Sequence, residues 1–330
     1  MRRVKNFPGG DFMNSNHHKR VNPKVYSSVN RDLDRLFMSH LGDLLRTMET
    51  PWTPDPRGNP HPPQSVIGAL ILKIYYSASY DEIEARLKGM KELFCNTFDT
   101  DRIPTHSVIH RGMKNTSTKF LRNLLEKTIQ KVEEDRRTAI DSSGFHTRSS
   151  SKWYDIRIGK ENQKKDYLKL HLLVDVDSGQ LLDVRMTRSK KHDSPVGKAM
   201  LKKNWGIATV SGDKAYFSRK ACTIAAAKNA DPYFKPKENA THQSKGHPAY
   251  ARMMRDREKN PEDWNESYHV RSFVESVFSS IKKRFGKALS SIKQRLKKRE
   301  LLLKALCYNI KEALYNLKAS ELGTSRWIKR

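Results

Sequence analysis

The stretch LKLHLLVDVDSGQLLDVRM, Leu168 to Met186, sets the period of the chain around it. Leu168, Leu170, Leu172, Val174 and Val176 alternate strictly, which is the two-residue period of a half-buried strand. Asp177-Ser178-Gly179 turns the chain, and Leu182, Val184 and Met186 alternate again on the return, so the spacing predicts an antiparallel hairpin. Upstream, Thr138-Ala139-Ile140-Asp141 reads as a short strand ending in an acid. Ser142-Ser143-Gly144 then offers a turn that brings backbone close to a ligand, ahead of a loop of about two dozen polar and basic residues. Downstream, Ser194-Pro195 is a helix start, with serine as cap and proline in the first turn of Val196 to Lys203. Ile207 to Gly212 is a buried-type strand with Asp213 at its end. Ser218 caps a helix over Arg219 to Asn229, Tyr233-Phe234-Lys235 is a last short strand, and an irregular basic stretch follows. Pattern alone gives an α/β layer architecture with mixed strands.

The first third reads differently. A helix is expected over Val29 to Thr47, where Leu33, Leu36, Phe37, Leu41, Leu44 and Leu45 recur at three- and four-residue steps. Pro51 to Pro63 holds six prolines, a stiff spacer, before an apolar helix from Val66 to Ser77. Ser79 and Glu82 form a capping box for Asp81 to Lys88. In Ile103 to Asn115, Thr105 can cap a helix presenting His106, His110, Arg111 and Lys114. With SYDEIEARL before it, this is either a helix-turn-helix that reads a DNA groove or ordinary bundle packing. His106 and His110 stand four apart but lack a third ligand, so no metal is assigned to them. A long helix from Ser117 to Arg136 closes the region. The expected division is a basic arm over 1–28, a helical N-terminal domain over 29–137 and a catalytic domain over 138–330.

Charge narrows the partner. Lys plus Arg total 64 against 36 Asp plus Glu, for a formal +28, which in a globular chain points to a polyanion. Residues before Thr138 carry 23 basic against 16 acidic side chains and the rest 41 against 20, so the positive charge is concentrated where the candidate acids stand. Cys95, Cys222 and Cys307 show neither zinc nor disulfide spacing, which fits a reducing cytoplasm. The most apolar stretch, Val66 to Tyr76, is eleven residues long and broken by Lys73, so a buried helix is expected and no membrane span. The N-terminus has no apolar segment of a secretory signal.

The chemistry centres on YHVRSFVESVFSSIK, Tyr268 to Lys282. Read as one helix at 100° per residue, Tyr268, Arg271, Glu275 and Lys282 fall within roughly 60° of one another, opposite Phe273, Val274, Val277 and Ile281. The plainer reading is an amphipathic surface helix with a solvated Arg-Glu pair. The spacing Tyr, two residues, Arg, three residues, Glu, six residues, Lys resembles the signature of bacterial and archaeal insertion-sequence transposases of the DDE class. The resemblance covers about Thr138 to Asn316. It extends to Asp141-Ser142-Ser143 and Gly212-Asp213-Lys214-Ala215-Tyr216, where Ala215 replaces the glycine of many members.

Such a resemblance implies a ribonuclease H-like catalytic domain behind an all-α N-terminal domain. It also implies a catalytic triad of Asp141, Asp213 and Glu275 holding two Mg²⁺ ions, with Mn²⁺ able to substitute. Two such ions activate the attacking oxygen and stabilise the leaving one at a phosphodiester. Tyr268, Arg271 and Lys282, with Lys283, Arg284 and Lys214, would bind DNA. The implied enzyme cleaves the ends of its element and transfers strands to target DNA. Its partners are terminal inverted repeats and target DNA, engaged as a homodimer in the prokaryotic cytoplasm near the nucleoid, without a membrane or an organic cofactor. A degenerate, non-catalytic DNA-binding relative and a non-specific nuclease of the same fold are the other readings. The basic run from Lys283 to Arg299 reads as a DNA-backbone track, and Leu301 to Leu317 as a final amphipathic helix packed on the core. Trp153 and Trp264 could stack on an extruded base, although core packing is the usual place of a tryptophan.

Overall fold

The computed structural model describes residues 19–54, 60–130, 135–147, 157 and 167–328. The basic arm before residue 19 and most of the loop over 148–166, with Trp153, Asp155 and Asp166, lie outside the described residues. Helices come first: α1 (Pro23–Asn30), α2 (Leu33–Arg46), α3 (Pro63–Tyr75), α4 (Tyr80–Gly89), α5 (Lys91–Phe98), α6 (His106–Asn115) and α7 (Thr118–Lys127). Then follow β1 (Arg136–His146), β2 (Tyr167–Asp175), β3 (Leu181–Arg188), α8 (Asp193–Lys203), β4 (Ile207–Gly212), α9 (Arg219–Ala226) and β5 (Asp231–Phe234). The chain ends in α10 (Pro248–Lys259), α11 (Pro261–His269), α12 (Ser272–Phe285) and α13 (Gln294–Glu321). No helix among the described residues is long and apolar enough to cross a membrane.

The strands form a five-stranded mixed sheet of order β3-β2-β1-β4-β5. The hairpin is there as its alternation predicts, β2 pairing with β3 antiparallel and with β1 antiparallel, while β4 and β5 run parallel to β1. With helices on both faces, this is consistent with a ribonuclease H-like transposase fold. One face buries Ala139, Phe145, Leu172 and Val174 against α12 and α13. The other buries Ile140, Leu173 and Val210 against residues of α8, α9 and α10.

Several expectations from the sequence need correction. The helix over Val29–Thr47 is two helices, because Asn30 turns away to donate to the Tyr315 hydroxyl at 3.0 Å and fastens the end of α1 to α13. The helix over Ser117–Arg136 stops at Lys127. Gln180, in the hairpin turn, captures its end by donating to the Thr128 carbonyl at 2.7 Å and accepting the Gln130 amide at 3.0 Å. Ser142-Ser143-Gly144 is strand, not turn, paired with His171, Leu170 and Lys169. The stretch read as irregular before Tyr268 holds α10 and most of α11, whose large apolar residues, Tyr250, Met253, Met254 and Trp264, are buried.

The proposed helix-turn-helix is also altered, because α5 stands between α4 and α6, held in the core by Phe94 and Phe98. The capping box of Ser79 and Glu82 is present on α4. Thr105 makes no cap hydrogen bond; the Glu84 carboxylate accepts the His106 amide at 2.6 Å instead. The last helix is not amphipathic. From Glu300 to Ile310 every residue of α13 is buried, and one apolar cluster runs from Val25 on α1 to Ala319 on α13. Asn309 on α13 grips the hairpin by accepting the Leu181 amide at 2.7 Å and donating to its carbonyl at 2.9 Å.

Candidate active site

Parallel pairing of β1 and β4 brings the first two acids together. The last pair is Ile140 with Gly212, so Asp141, within β1, and Asp213, just past the end of β4, each come one residue later. Gly212 is required there: a Cβ would lie 2.8 Å from Ile140 and 2.9 Å from Phe234. Both aspartates are anchored alike, each Oδ1 accepting the next residue's amide, Ser142 or Lys214, at 2.7 Å.

Tyr268 to Lys282 is not one helix. The chain breaks at Val270-Arg271 between α11 and α12, because α11 has its own anchors. Ser211 on β4 donates to the Ser267 carbonyl at 2.8 Å, and buried Trp264 stacks on Tyr268 with ring planes 13° apart. Trp264 is thus core, not a base-stacking surface. The single stripe is lost, but its grouping survives by a different route. Arg271 donates through Nη1 to Asp141 Oδ2 at 3.3 Å and through Nη2 to Glu275 Oε1 at 2.9 Å, with its guanidinium 6.0 Å from the Tyr268 ring centre. Two turns past Glu275, Lys282 donates to Ser143 Oγ at 2.6 Å. A cleft of about 620 Å³ is lined by Asp141, Ser143, Glu275, Lys282, Lys283 and Lys287.

The electrostatics are those of crowded carboxylates. Burial pushes the Asp141 pKa up; the Ser142 amide and Arg271 oppose this, while the charges of Asp213 and Glu275 add to it. For Arg271, burial works against the charge, but Tyr268, Glu275, Asp141 and Asp213 outweigh it and raise the pKa. Burial and nearby Lys287 lower that of Lys282, and burial raises that of the Tyr268 phenol.

The other sequence-selected residues scatter. Lys214 is exposed beside Asp213, and Arg284 turns away to lie 4.9 Å over the Tyr75 ring. The other acids of the hairpin are occupied: Asp175 accepts the Asp177 amide and the Ser178 hydroxyl, Asp183 takes Arg185, and Asp177 takes Arg137 and Lys19. Two features escaped the sequence reading. One is the Ser143 hydroxyl under Lys282; the other is the bond from Ser142 to Asp193. Nothing in the local pattern marks a serine as facing a distant carboxylate.

The family described as the transposase DDE domain matches residues 133–310. The chain belongs to this family. No curated protein matches it. Among solved structures it is similar to a piggyBac transposase synaptic complex with hairpin DNA, seen by cryo-EM, at 9% identity and a TM-score of 0.43, over 90% of this chain and 74% of that one. DDE transposases generally use divalent metal ions. Among the described residues of this DDE domain no three His, Cys, Asp or Glu side chains close a metal site by themselves. Arg271 holds the positive charge between Asp141 and Glu275, where a cation would be balanced. The donor set, three carboxylates without sulfur or imidazole, fits a hard divalent ion.

Proposed function

We propose that this DDE transposase cleaves the ends of an insertion sequence in a Mg²⁺-dependent reaction and joins the freed 3′-hydroxyls to target DNA. The observation that carries the reading is the pairing of Ile140 with Gly212, which makes Asp141 and Asp213 neighbours on parallel strands, with Glu275 reached through Arg271. Asp141, Asp213 and Glu275 would hold the metal ions, which when bound polarise the phosphodiester and lower the pKa of an attacking water or hydroxyl. Arg271, which donates to both Asp141 and Glu275, would offer the two donors of its guanidinium to a phosphate beside the scissile bond once those acids were neutralised otherwise. Lys282, held by Ser143, adds a fixed positive charge on the far side of the cleft. Lys283 and Lys287 on the rim carry the backbone of double-stranded DNA. Terminal inverted repeats are the specific substrate, engaged by a homodimer so that two ends are joined together.

The test is a nicking assay on DNA bearing the element's ends, with a gel-shift competition alongside. Mg²⁺-dependent cleavage at the ends, with their preferential retention over unrelated DNA, supports the reading. Retention without cleavage at any Mg²⁺ or Mn²⁺ concentration would leave a DNA-binding relative, and cleavage indifferent to sequence would leave a nuclease.

A further inference from the structure

Past the pairing of Ile140 with Gly212, β1 and β4 share no further ladder partners, so nothing in the backbone ladder sets the separation of Asp141 and Asp213. A polar chain on the opposite face of the sheet spans that gap. Ser142 donates its hydroxyl to Asp193 Oδ2 at 3.0 Å, and Lys169 Nζ donates to Asp193 Oδ1 at 2.8 Å. The lysine and aspartate side chains are only 19% and 14% exposed. Tyr216, buried at 2%, closes the circuit from the other strand. Its amide donates to the Asp213 carbonyl at 2.9 Å, and its phenol lies 3.2 Å from His171 Nδ1 on β2. The far side of His171 is fixed by Thr187 at 2.8 Å. Helix α8 must come close for this to happen: a Cβ on Gly197 would lie 2.4 Å from the Tyr216 ring.

We infer that Asp193 is a positioning residue for the metal ligands: by tying Ser142 to the helix that packs on the Tyr216 turn, it sets the distance between the Asp141 and Asp213 carboxylates. The inference rests on the reading of those two acids as metal ligands. An ionised carboxylate is needed because both of its oxygens accept, one from a hydroxyl and one from an ammonium. An amide has one acceptor oxygen and would turn its NH₂ donor towards either Ser142 or Lys169. The simpler role for an acid in the first turn of a helix is to complement the helix dipole, worth about 0.3–1 kcal/mol. That role would act on stability and not on metal binding.

The experiment compares full-length wild type with Asp193→Asn and Ser142→Ala. Three quantities are measured: Mn²⁺ binding by calorimetry, end nicking across a Mg²⁺ titration, and thermal midpoint. Asp193→Asn should weaken Mn²⁺ binding and raise the Mg²⁺ half-saturation about 10–100-fold, as loss of a group supporting a metal ligand does. Nicking should recover at saturating metal, and gel-shift retention of the ends should change by less than about twofold, since no DNA-facing cation is removed. Ser142→Ala removes only the hydroxyl and should shift metal affinity the same way, so it carries the test if Asp193→Asn does not fold. A lowered melting midpoint with wild-type metal affinity in both variants would reduce Asp193 to a helix-end acid and overturn the proposal. A wild type that binds no Mn²⁺ and nicks no DNA would sink the metal-ligand reading and this inference with it, whereas normal wild type with unchanged variants sinks this inference alone.

Discussion

Glu300 and Glu312 on α13, and Asp141 and Glu275 at the cleft, are all acids beside cations, yet their surroundings differ in kind. Glu300 is buried, accepts the amides of Ser290 and Ser291 at 3.0 and 2.9 Å, and has Lys304 at 3.7 Å. Glu312 is paired with Arg326, which donates onward to Asn316 Oδ1 at 2.8 Å. At the cleft one guanidinium serves both Asp141 and Glu275, Glu275 is 57% exposed, and Asp213 forms no ion pair with a described residue. Each oxygen of Glu300 accepts an amide and so closes the loop at Ser290-Ser291, while Glu312 is sealed in with a buried arginine as its own counter-charge. The cleft acids keep acceptor capacity free, and a carboxylate with spare capacity beside its like is what a cation binds.

The comparison breaks most visibly if the cleft acids prove structural. Glu275→Gln, Asp141→Asn and Asp213→Asn should each lower Mg²⁺-dependent end cleavage by more than about 10²-fold, beyond the effect of a mere supporting residue. Binding of the ends should persist in the gel shift, and double variants should lose little more, because ligands of one site fail as a unit. Normal cleavage by folded Glu275→Gln would remove it from the site. On the other side, Glu312→Gln leaves Arg326 buried without its counter-charge and should cost about 3–5 kcal/mol of stability by denaturant titration. A loss there below about 1 kcal/mol would erase the distinction.

Smaller effects sharpen it. Arg271→Ala and Lys282→Ala should reduce cleavage roughly 10–100-fold while changing DNA affinity by less than about twofold, because many other cations share the backbone. Equal losses in both assays would move them from the reacting phosphate to the general track. The slightest effect concerns pH. Asp141 is raised above the ordinary carboxylate range, so the folded chain keeps a proton that the unfolded chain has released, and stability falls as pH rises through that window. Asp141→Asn escapes this loss and should melt above wild type at neutral pH, the two converging below the ordinary carboxylate range. A variant that melts lower at neutral pH would mean that Arg271 outweighs burial.

How much could be read from the chain depends on whether a signal was local. Period-two alternation located β2 and β3, because that pattern needs no partner to be visible; Asp141, read as ending a strand, stands within β1, while Asp213 follows directly on β4. The helix limits failed where a distant side chain decides them. Gln180 ends α7 from about fifty residues away, and Asn30 leaves α1 for Tyr315. Tyr268, Arg271 and Glu275 come together, but not on one helical stripe: a break after His269 and a long arginine bring them close instead. The burial of α13 was obscured by its composition. Lys304, Glu312 and Asn316 look like a polar face until the carbonyls and the guanidinium that satisfy them are supplied from outside the helix.

Because α13 is the post around which α1, α2, α3, α6 and α7 are gathered, the early helices lack their common support until residues 294–321 have left the ribosome. The isolated bridge between Val21 and Trp327, and the amide of Asn22 on the carbonyl of Arg326 at 2.7 Å, delay closure further still. Synthesis therefore holds an unfinished, apolar chain waiting for its last helix, open to chaperones and proteases. A chain interrupted before residues 294–321 would leave the apolar faces of those early helices without their common partner.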